Sequence, residues 1–249
     1  MTEESVLTPV TITLQHKDLA FQEQQGIHSA KVNVFGRITG INGRVAQYFE
    51  DTIEQNIPSA LFERALEGGS IHQRTVPLRP GLYKLDLVLK DINSGNAGVI
   101  NTRLQVPRMI DDKLALSSMI LADRVEELPP SQIGSGSFIF GSTKVVPNVK
   151  EEFARDKDLK VWFQVYNLKV DEKTHKPAAT VEMLITRNGQ QVQKIVEEST
   201  ELANAAQQMT VWKAIPLKDL EPGQYSLQLK VTDNLKNDVF STTGKFTVK

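Results

Sequence analysis

One stretch of sequence occurs twice in this chain, and the repeat constrains the fold more than any other feature. Residues 80–91 and 222–233 both open with Pro-Gly, place a tyrosine two positions later and end in aspartate. In between, apolar and polar residues alternate, which is the period of a half-buried β-strand. The two stretches lie 142 positions apart (222 − 80), and the same offset relates Leu104 and Val106 to Phe246 and Val248. We therefore predict two copies of one structural unit.

The residues around each copy favour further strands. Val10–Leu14 and Leu159–Val165 alternate apolar with polar side chains, as strands with one buried face do. Asn42-Gly43 and Asn188-Gly189 each predict a two-residue hairpin loop of type I′, because this turn needs positive φ at both central residues.

Helices are expected only as short connections, at Pro58–Leu66 and Thr200–Ala206. Many strands joined by hairpins, without long helices, are typical of sheet-on-sheet architectures. Pro107 removes a hydrogen-bond donor and should end the last strand of the first half. We predict an all-β fold of two tandem immunoglobulin-like or fibronectin-III-like antiparallel β-sandwiches with short connecting helices, at residues 1–108 and 109–249.

The repeated tyrosines sharpen this prediction. Tyr83 and Tyr225 each follow a Pro-Gly turn and open the penultimate strand of their half. This is the pattern of the tyrosine corner of immunoglobulin-like domains, whose hydroxyl group bonds to the upstream backbone. We expect both residues to be structural.

Composition excludes several classes of function. The net charge is −1 and the sequence has no long block of one sign of charge, so it shows no electrostatic footprint for nucleic-acid binding. It contains no cysteine, which excludes disulfides, thiol nucleophiles and cysteine zinc sites. No apolar run approaches the roughly 20 residues of a membrane helix. We therefore predict neither nucleic-acid binding nor membrane insertion.

No arrangement of reactive residues emerges. The four histidines lack zinc-ligand spacing, and nucleophile and phosphate-loop motifs are missing. Neighbouring carboxylates such as Glu197 and Glu198 would point to opposite faces of a strand, which is poor geometry for an acid–base pair. Asp91–Asn96 resembles part of a calcium loop, although turn chemistry explains the same residues. We predict no catalytic residue, cofactor or metal ligand, and a protein that is not an enzyme.

Two segments are candidates for binding. Trp162 and Tyr166 share one strand face, which we expect to be buried against the rest of the fold; a platform for a carbohydrate is the alternative. Phe138, Ile139 and Phe140 form a hydrophobic segment with glycines nearby, which could be a sheet edge that pairs with another chain.

Seven short stretches, spread over nearly the whole chain, carry a resemblance to known proteins: Ser5–Pro9, Val34–Arg37, Leu78–Tyr83, Val88–Asn96, Leu121–Asp123, Val165–Asn167 and Val170–Pro177. In these stretches the chain resembles the C-terminal region of acidobacterial GWxTD-domain proteins. The Gly-Trp-x-Thr-Asp motif itself is absent, since neither Trp162 nor Trp212 lies in that frame. The resemblance implies an exported protein, secreted or located in the periplasm or at the cell surface, and supplies no catalytic residue.

Together these observations predict a non-catalytic structural, adhesive or protein-binding module of an exported bacterial protein. Its partner would be another protein or an upstream domain of the same polypeptide. A carbohydrate-binding module and the accessory domains of a hydrolase are the alternatives.

Overall fold

The computed structural model describes residues 5–108, 110, 112–133, 136–199 and 208–249. The chain divides into two compact units, Met1–Arg108 and Met109–Lys249. Strands dominate both units, and the one α-helix among the described residues is α1 (Phe62–Leu66). The fold is all-β, as the alternating pattern predicted. The helix expected at Thr200–Ala206 lies outside the described residues.

The first unit contains two antiparallel sheets. Sheet A pairs β1 with β5; in sheet B, β3 pairs with β4 along one side and with β2 and β6 along the other, and β7 follows β6. The strands are β1 (Val6–Gln15), β2 (Gln22–Gln24), β3 (Ile27–Gly40), β4 (Val45–Pro58), β5 (Gly69–Leu78), β6 (Gly81–Asp91) and β7 (Ala97–Val106).

Alternation places one face of each sheet in a shared core. Sheet A and sheet B pack face to face through the buried residues Val10, Ile12, Leu14, Val32, Val34, Ile38, Phe49, Ile53, Val76, Leu78, Leu85, Leu87 and Val106. A 3₁₀ turn at Ser59–Leu61 and α1 carry the chain from β4 in sheet B to β5 in sheet A, where the sequence predicted a short helix. Within the described residues, no helix is long and apolar enough to span a bilayer.

The second unit also contains two sheets. Sheet C has the order β10-β11-β9-β13-β16, with β8 beside β13, and sheet D has the order β12-β18-β17-β14-β15. All pairs are antiparallel except that of β12 with β18. The strands are β8 (Ala115–Leu116), β9 (Ile120–Glu127), β10 (Ile139–Phe140), β11 (Thr143–Pro147), β12 (Glu152–Phe153), β13 (Asp158–Tyr166), β14 (Ala179–Arg187), β15 (Gln190–Glu198), β16 (Met209–Pro216), β17 (Gly223–Asp233) and β18 (Asp238–Val248).

Sheets C and D enclose the larger core, to which Leu159, Val161, Phe163, Ile185, Leu227 and Leu229 contribute fully buried side chains. At one open side, an ion pair between Lys213 of β16 and Glu197 of β15 joins the two sheets. A second, smaller cluster covers the other face of sheet C and contains Ala122, Val125, Val145 and Trp162. Sheet C is therefore buried on both faces where β9, β11 and β13 meet.

The two Asn-Gly dipeptides form different turns. Asn188 and Gly189 have φ of +51° and +79°, and Arg187 pairs directly with Gln190, so this loop has two residues, as type I′ requires. At the other dipeptide only Gly43 has positive φ, +78°. The type I′ prediction for Asn42-Gly43 is therefore wrong.

The loop at Asn42-Gly43 is longer than predicted. Gly40 N–H donates to Arg44 O, and Gly43 N–H donates to Gly40 O, both at 2.9 Å. The pairing of β3 with β4 also shifts register between Ile38 and Thr39. This irregularity adds length to the hairpin, so the dipeptide turns within a wider loop.

Candidate binding surface

The repeated tyrosines stabilise the turns that precede their own strands. Tyr83 Oη donates to the carbonyl oxygen of Arg79 at 2.8 Å, and Tyr225 Oη donates to that of Glu221 at 2.6 Å. Tyr225 is 3% exposed and stacks on Phe246, with 5.4 Å between ring centroids, whereas Tyr83 is only partly buried. The same hydrogen bond therefore lies in a drier environment in the second unit.

The aspartate that ends the first repeat clamps the backbone. Asp91 Oδ2 accepts from Ala20 N–H at 2.8 Å, and Oδ1 accepts from Asn93 N–H at 2.9 Å and from Ser94 N–H at 3.4 Å. Burial alone would raise the pKa of Asp91, but hydrogen bonds from Ala20, Ser94 and Asn93 hold it below its usual value. Because these N–H groups point their positive ends at the carboxylate, turn chemistry accounts for this residue better than calcium does.

Asp233 repeats this arrangement in the second unit. Its Oδ2 accepts from Lys169 N–H at 2.8 Å, and its Oδ1 accepts from Leu235 N–H at 3.0 Å and Lys236 N–H at 3.2 Å. The side chain is fully buried. In each unit, the aspartate that ends the repeat thus binds two segments. One is the turn after its own strand, and the other is a loop that follows a strand of the opposite sheet.

The tryptophan of the alternative carbohydrate platform lies inside the protein. Trp162 is 1% exposed, its ring packs against Phe140 with 5.1 Å between centroids, and its Nε1–H donates to Thr143 Oγ1 at 2.9 Å. Tyr166 is half-buried and donates to Gln164 Oε1 at 2.6 Å, and burial raises the pKa of its hydroxyl group. A sugar stacks on an exposed ring face. The hairpin of β10 and β11 covers the ring of Trp162, so this ring is not accessible to a sugar.

The predicted edge segment lies in that same hairpin. Ile139 and Phe140 form β10, which ends the strand order of sheet C, and Phe138 precedes them with φ of +67°. All three side chains are half-buried. A strand of two residues offers few backbone groups for pairing with another chain, so this edge is a short one.

Glu182 is a carboxylate with a strongly lowered pKa. Lys194 and Lys230, at 2.8 Å and 2.7 Å, lower its pKa to about 2. A perturbed carboxylate can mark an active site, but this one is held as a permanent anion on the open face of sheet D. Within the described ranges, no three His, Cys, Asp or Glu side chains converge in positions suited to a metal ion.

An exposed apolar row crosses the outer face of sheet B. Phe35 of β3 pairs with Val88 of β6, which pairs with Val99 of β7. Phe35 is 38% exposed, Val99 is 63% exposed, and Tyr48 of β4, diagonal to Phe35, is 67% exposed. We call Phe35, Tyr48, Val88 and Val99 the apolar row. Beside the row lies a shallow depression of about 500 Å³, which Asn33 also lines.

A charged network borders the apolar row. Asp86 accepts from Lys84 Nζ at 2.7 Å, from Arg37 Nη2 at 3.1 Å and from Asn101 Nδ2 at 2.5 Å. Lys84 and then Arg37 contribute most to holding the pKa of Asp86 below its usual value, against the opposing effect of burial. The network holds these side chains on the outer face of sheet B, next to the aromatic rings.

The apolar row was not predicted from the sequence, although the sequence contains a signal for it. The buried face of β3 is identified by Val32, Val34 and Ile38. Phe35 therefore lies on the opposite, polar face, together with Lys31 and Arg37. A large apolar residue at a polar position of a strand indicates an exposed contact residue or a second core. Tyr48 breaks the polar face of β4 in the same way.

No protein-family model matches this chain, and no curated protein matches it.

Proposed function

We propose that this chain is a non-catalytic structural or adhesive module that binds another protein and belongs to an exported bacterial protein. In this proposal its two units are immunoglobulin-like sandwiches, and export follows from the resemblance to GWxTD-domain proteins. The observation that carries protein binding is the apolar row on the outer face of sheet B.

The row has the composition of an interaction hot spot. Aromatic residues and arginine are enriched at the centres of protein interfaces, where neighbouring contacts exclude water. Tyr48 and Phe35 supply the rings, Arg37 lies directly beside Tyr48 in the sheet, and Val88 and Val99 extend the surface to the sheet edge. The face is a nearly regular ladder of strands, so it suits a protein surface better than an enclosed small molecule.

A carbohydrate-binding module remains the second candidate because of one tryptophan. Trp212 pairs with Trp162 across β13 and β16 and is 36% exposed. Gln164 Nε2 donates to Thr210 Oγ1 at 3.2 Å on the same face. An exposed indole beside amide and hydroxyl groups can stack on a sugar ring and bond to its hydroxyl groups.

Site-specific photo-crosslinking tests the proposal. A photoreactive phenylalanine replaces Asn33, an exposed residue beside the apolar row, and in a matched variant it replaces Gln228, an exposed residue on the outer face of sheet D. Each variant is irradiated with a cell-envelope fraction, and adducts are identified by mass spectrometry. We expect one protein adduct from position 33, absent from position 228 and reduced when Tyr48→Ala is added.

Equal adducts at both positions, or adducts that Tyr48→Ala does not reduce, would reject the apolar row as the binding surface. Polysaccharide binding that Trp212→Ala abolishes would instead support the carbohydrate-binding module.

A further inference from the structure

The last strand of the first unit leaves one edge of sheet B open. β7 ends the strand order of this sheet, and within the described residues it pairs only with β6. The pairing runs from Ala97 to Val106 without a register shift, and the strand contains one charged residue, Arg103, and no proline. Native sheets usually protect their edges with charges, prolines or bulges. β7 has little of this protection.

The second unit contains the equivalent edge at β18, and there a strand covers its end. The register is the same in both units, since Tyr83 pairs with Leu104 and Tyr225 pairs with Phe246. β12 runs parallel to β18 and pairs with its last residues, starting at Thr247.

Backbone hydrogen bonds fix this covering segment on β18. Thr247 N–H donates to Glu151 O at 2.8 Å, Lys249 N–H donates to Phe153 O at 2.9 Å, and Arg155 N–H donates to Lys249 O at 3.1 Å. The segment from Glu151 to Arg155 is thus an added strand of sheet D.

The covering segment also completes the core. Phe153 is 3% exposed and meets Phe246 edge-on, with 6.4 Å between ring centroids, and Phe246 in turn stacks on Tyr225. Phe246 and Tyr225 are both buried. Their counterparts in the first unit, Leu104 and Tyr83, are only partly buried. The first unit therefore leaves partly exposed the corner that Phe153 closes in the second.

We propose that the C-terminal end of β7 accepts an extended segment of a partner protein, which pairs parallel to β7 and places an apolar side chain against Leu104 and Tyr83. This inference deepens the proposed protein-binding function and rests on it. The partner is an extended polypeptide because the equivalent edge of the second unit binds such a segment of its own chain. Main-chain pairing would supply affinity, and the corner would supply specificity.

The backbone groups of β7 set the register of the added segment. Gln105 corresponds to Thr247, whose N–H points away from the neighbouring strand, so the Gln105 N–H faces the open edge. Pro107 corresponds to Lys249 and offers a carbonyl oxygen but no N–H. The open edge of β7 thus keeps two of the backbone groups used in the second unit: the N–H donor of Gln105 and the carbonyl acceptor of Pro107.

A peptide from the second unit provides a defined probe. A fluorescently labelled peptide with the sequence of residues 148–157 is titrated with the full chain up to about 1 mM, and anisotropy reports binding. Amide resonances in the full chain identify the site. We expect saturable binding with shifts at residues 103–106, and a loss of affinity of about tenfold when the phenylalanine of the peptide, an interface contact, is changed to alanine.

Two proline variants of the edge form a matched pair. Gln105→Pro removes an outward N–H at the proposed site and should weaken binding by about tenfold, the factor for one net hydrogen bond. Ala97→Pro removes an outward N–H at the opposite end of the same strand, outside both the site and the apolar row, and should leave binding unchanged.

Three results would overturn the inference: no saturable binding, binding that Gln105→Pro leaves intact, or shifts confined to β18. A dimer of the free chain that Ala97→Pro dissociates would show that β7 pairs with a second copy instead. Because the probe is a defined peptide, a negative result leaves the crosslinking test of the apolar row unaffected.

Discussion

At the scale of single residues, the paired tyrosines allow one hydrogen bond to be compared in two environments. Tyr225→Phe should lower the free energy of unfolding of the second unit by about 1 kcal/mol, because its hydroxyl bond to Glu221 lies beside a buried ring. Tyr83→Phe should cost the first unit less, since water can replace part of its bond to Arg79. Both tryptophans lie in the second unit, so urea denaturation followed by tryptophan fluorescence measures the first effect and circular dichroism the second. An unchanged midpoint for Tyr225→Phe would contradict the structural role of this hydroxyl group.

At the scale of elements, the pairing of β3 with β4 depends on a glycine that faces the core. Gly36 pairs with Phe49, and a Cβ atom at Gly36 would lie 2.2 Å from Phe49 Cζ. Gly36→Ala must displace this buried ring and should destabilise the first unit by about 1–3 kcal/mol in chemical denaturation. Adding Phe49→Leu should recover part of the loss, because the smaller side chain leaves room for the methyl group.

Gly98→Ala is the matched control for this substitution. Gly98 also lies in a strand of sheet B, and a Cβ atom there would meet nothing within 4 Å. We expect Gly98→Ala to leave stability within about 0.5 kcal/mol of the original chain. Equal effects of the two alanine substitutions would show that the ring does not restrict position 36.

Also at the element scale, periodicity in the sequence predicts which face of a strand a residue occupies. It does not predict which other element covers that face, because this depends on packing between distant parts of the chain. The alternation in β13 correctly separates Val161 and Phe163 from Trp162. Alternation alone could not show which element buries Trp162, because the hairpin that covers it comes from another part of the sequence. In the same way, Phe35 was identifiable as outward-facing, but whether another element covers it depends on the whole fold.

At the scale of the whole molecule, each hydrophobic core draws its buried residues from one unit. The core between sheets A and B contains residues from Val10 to Val106, and that between sheets C and D contains residues from Leu114 to Val248. The division is compatible with separate cooperative unfolding of the two units. The repeat supplies the test, because Leu87 and Leu229 occupy equivalent positions in β6 and β17 (229 − 87 = 142).

Leu87→Ala and Leu229→Ala should each lower the stability of one unit only. Each substitution removes a buried leucine side chain, which typically costs about 2–5 kcal/mol through lost burial and the cavity left behind. Leu229 is fully buried and Leu87 slightly less so, so the second substitution should cost more. Differential scanning calorimetry of the full chain should resolve two transitions, with Leu229→Ala shifting the one that tryptophan fluorescence also reports. A single transition that both substitutions shift equally would mean that the units unfold as one cooperative body.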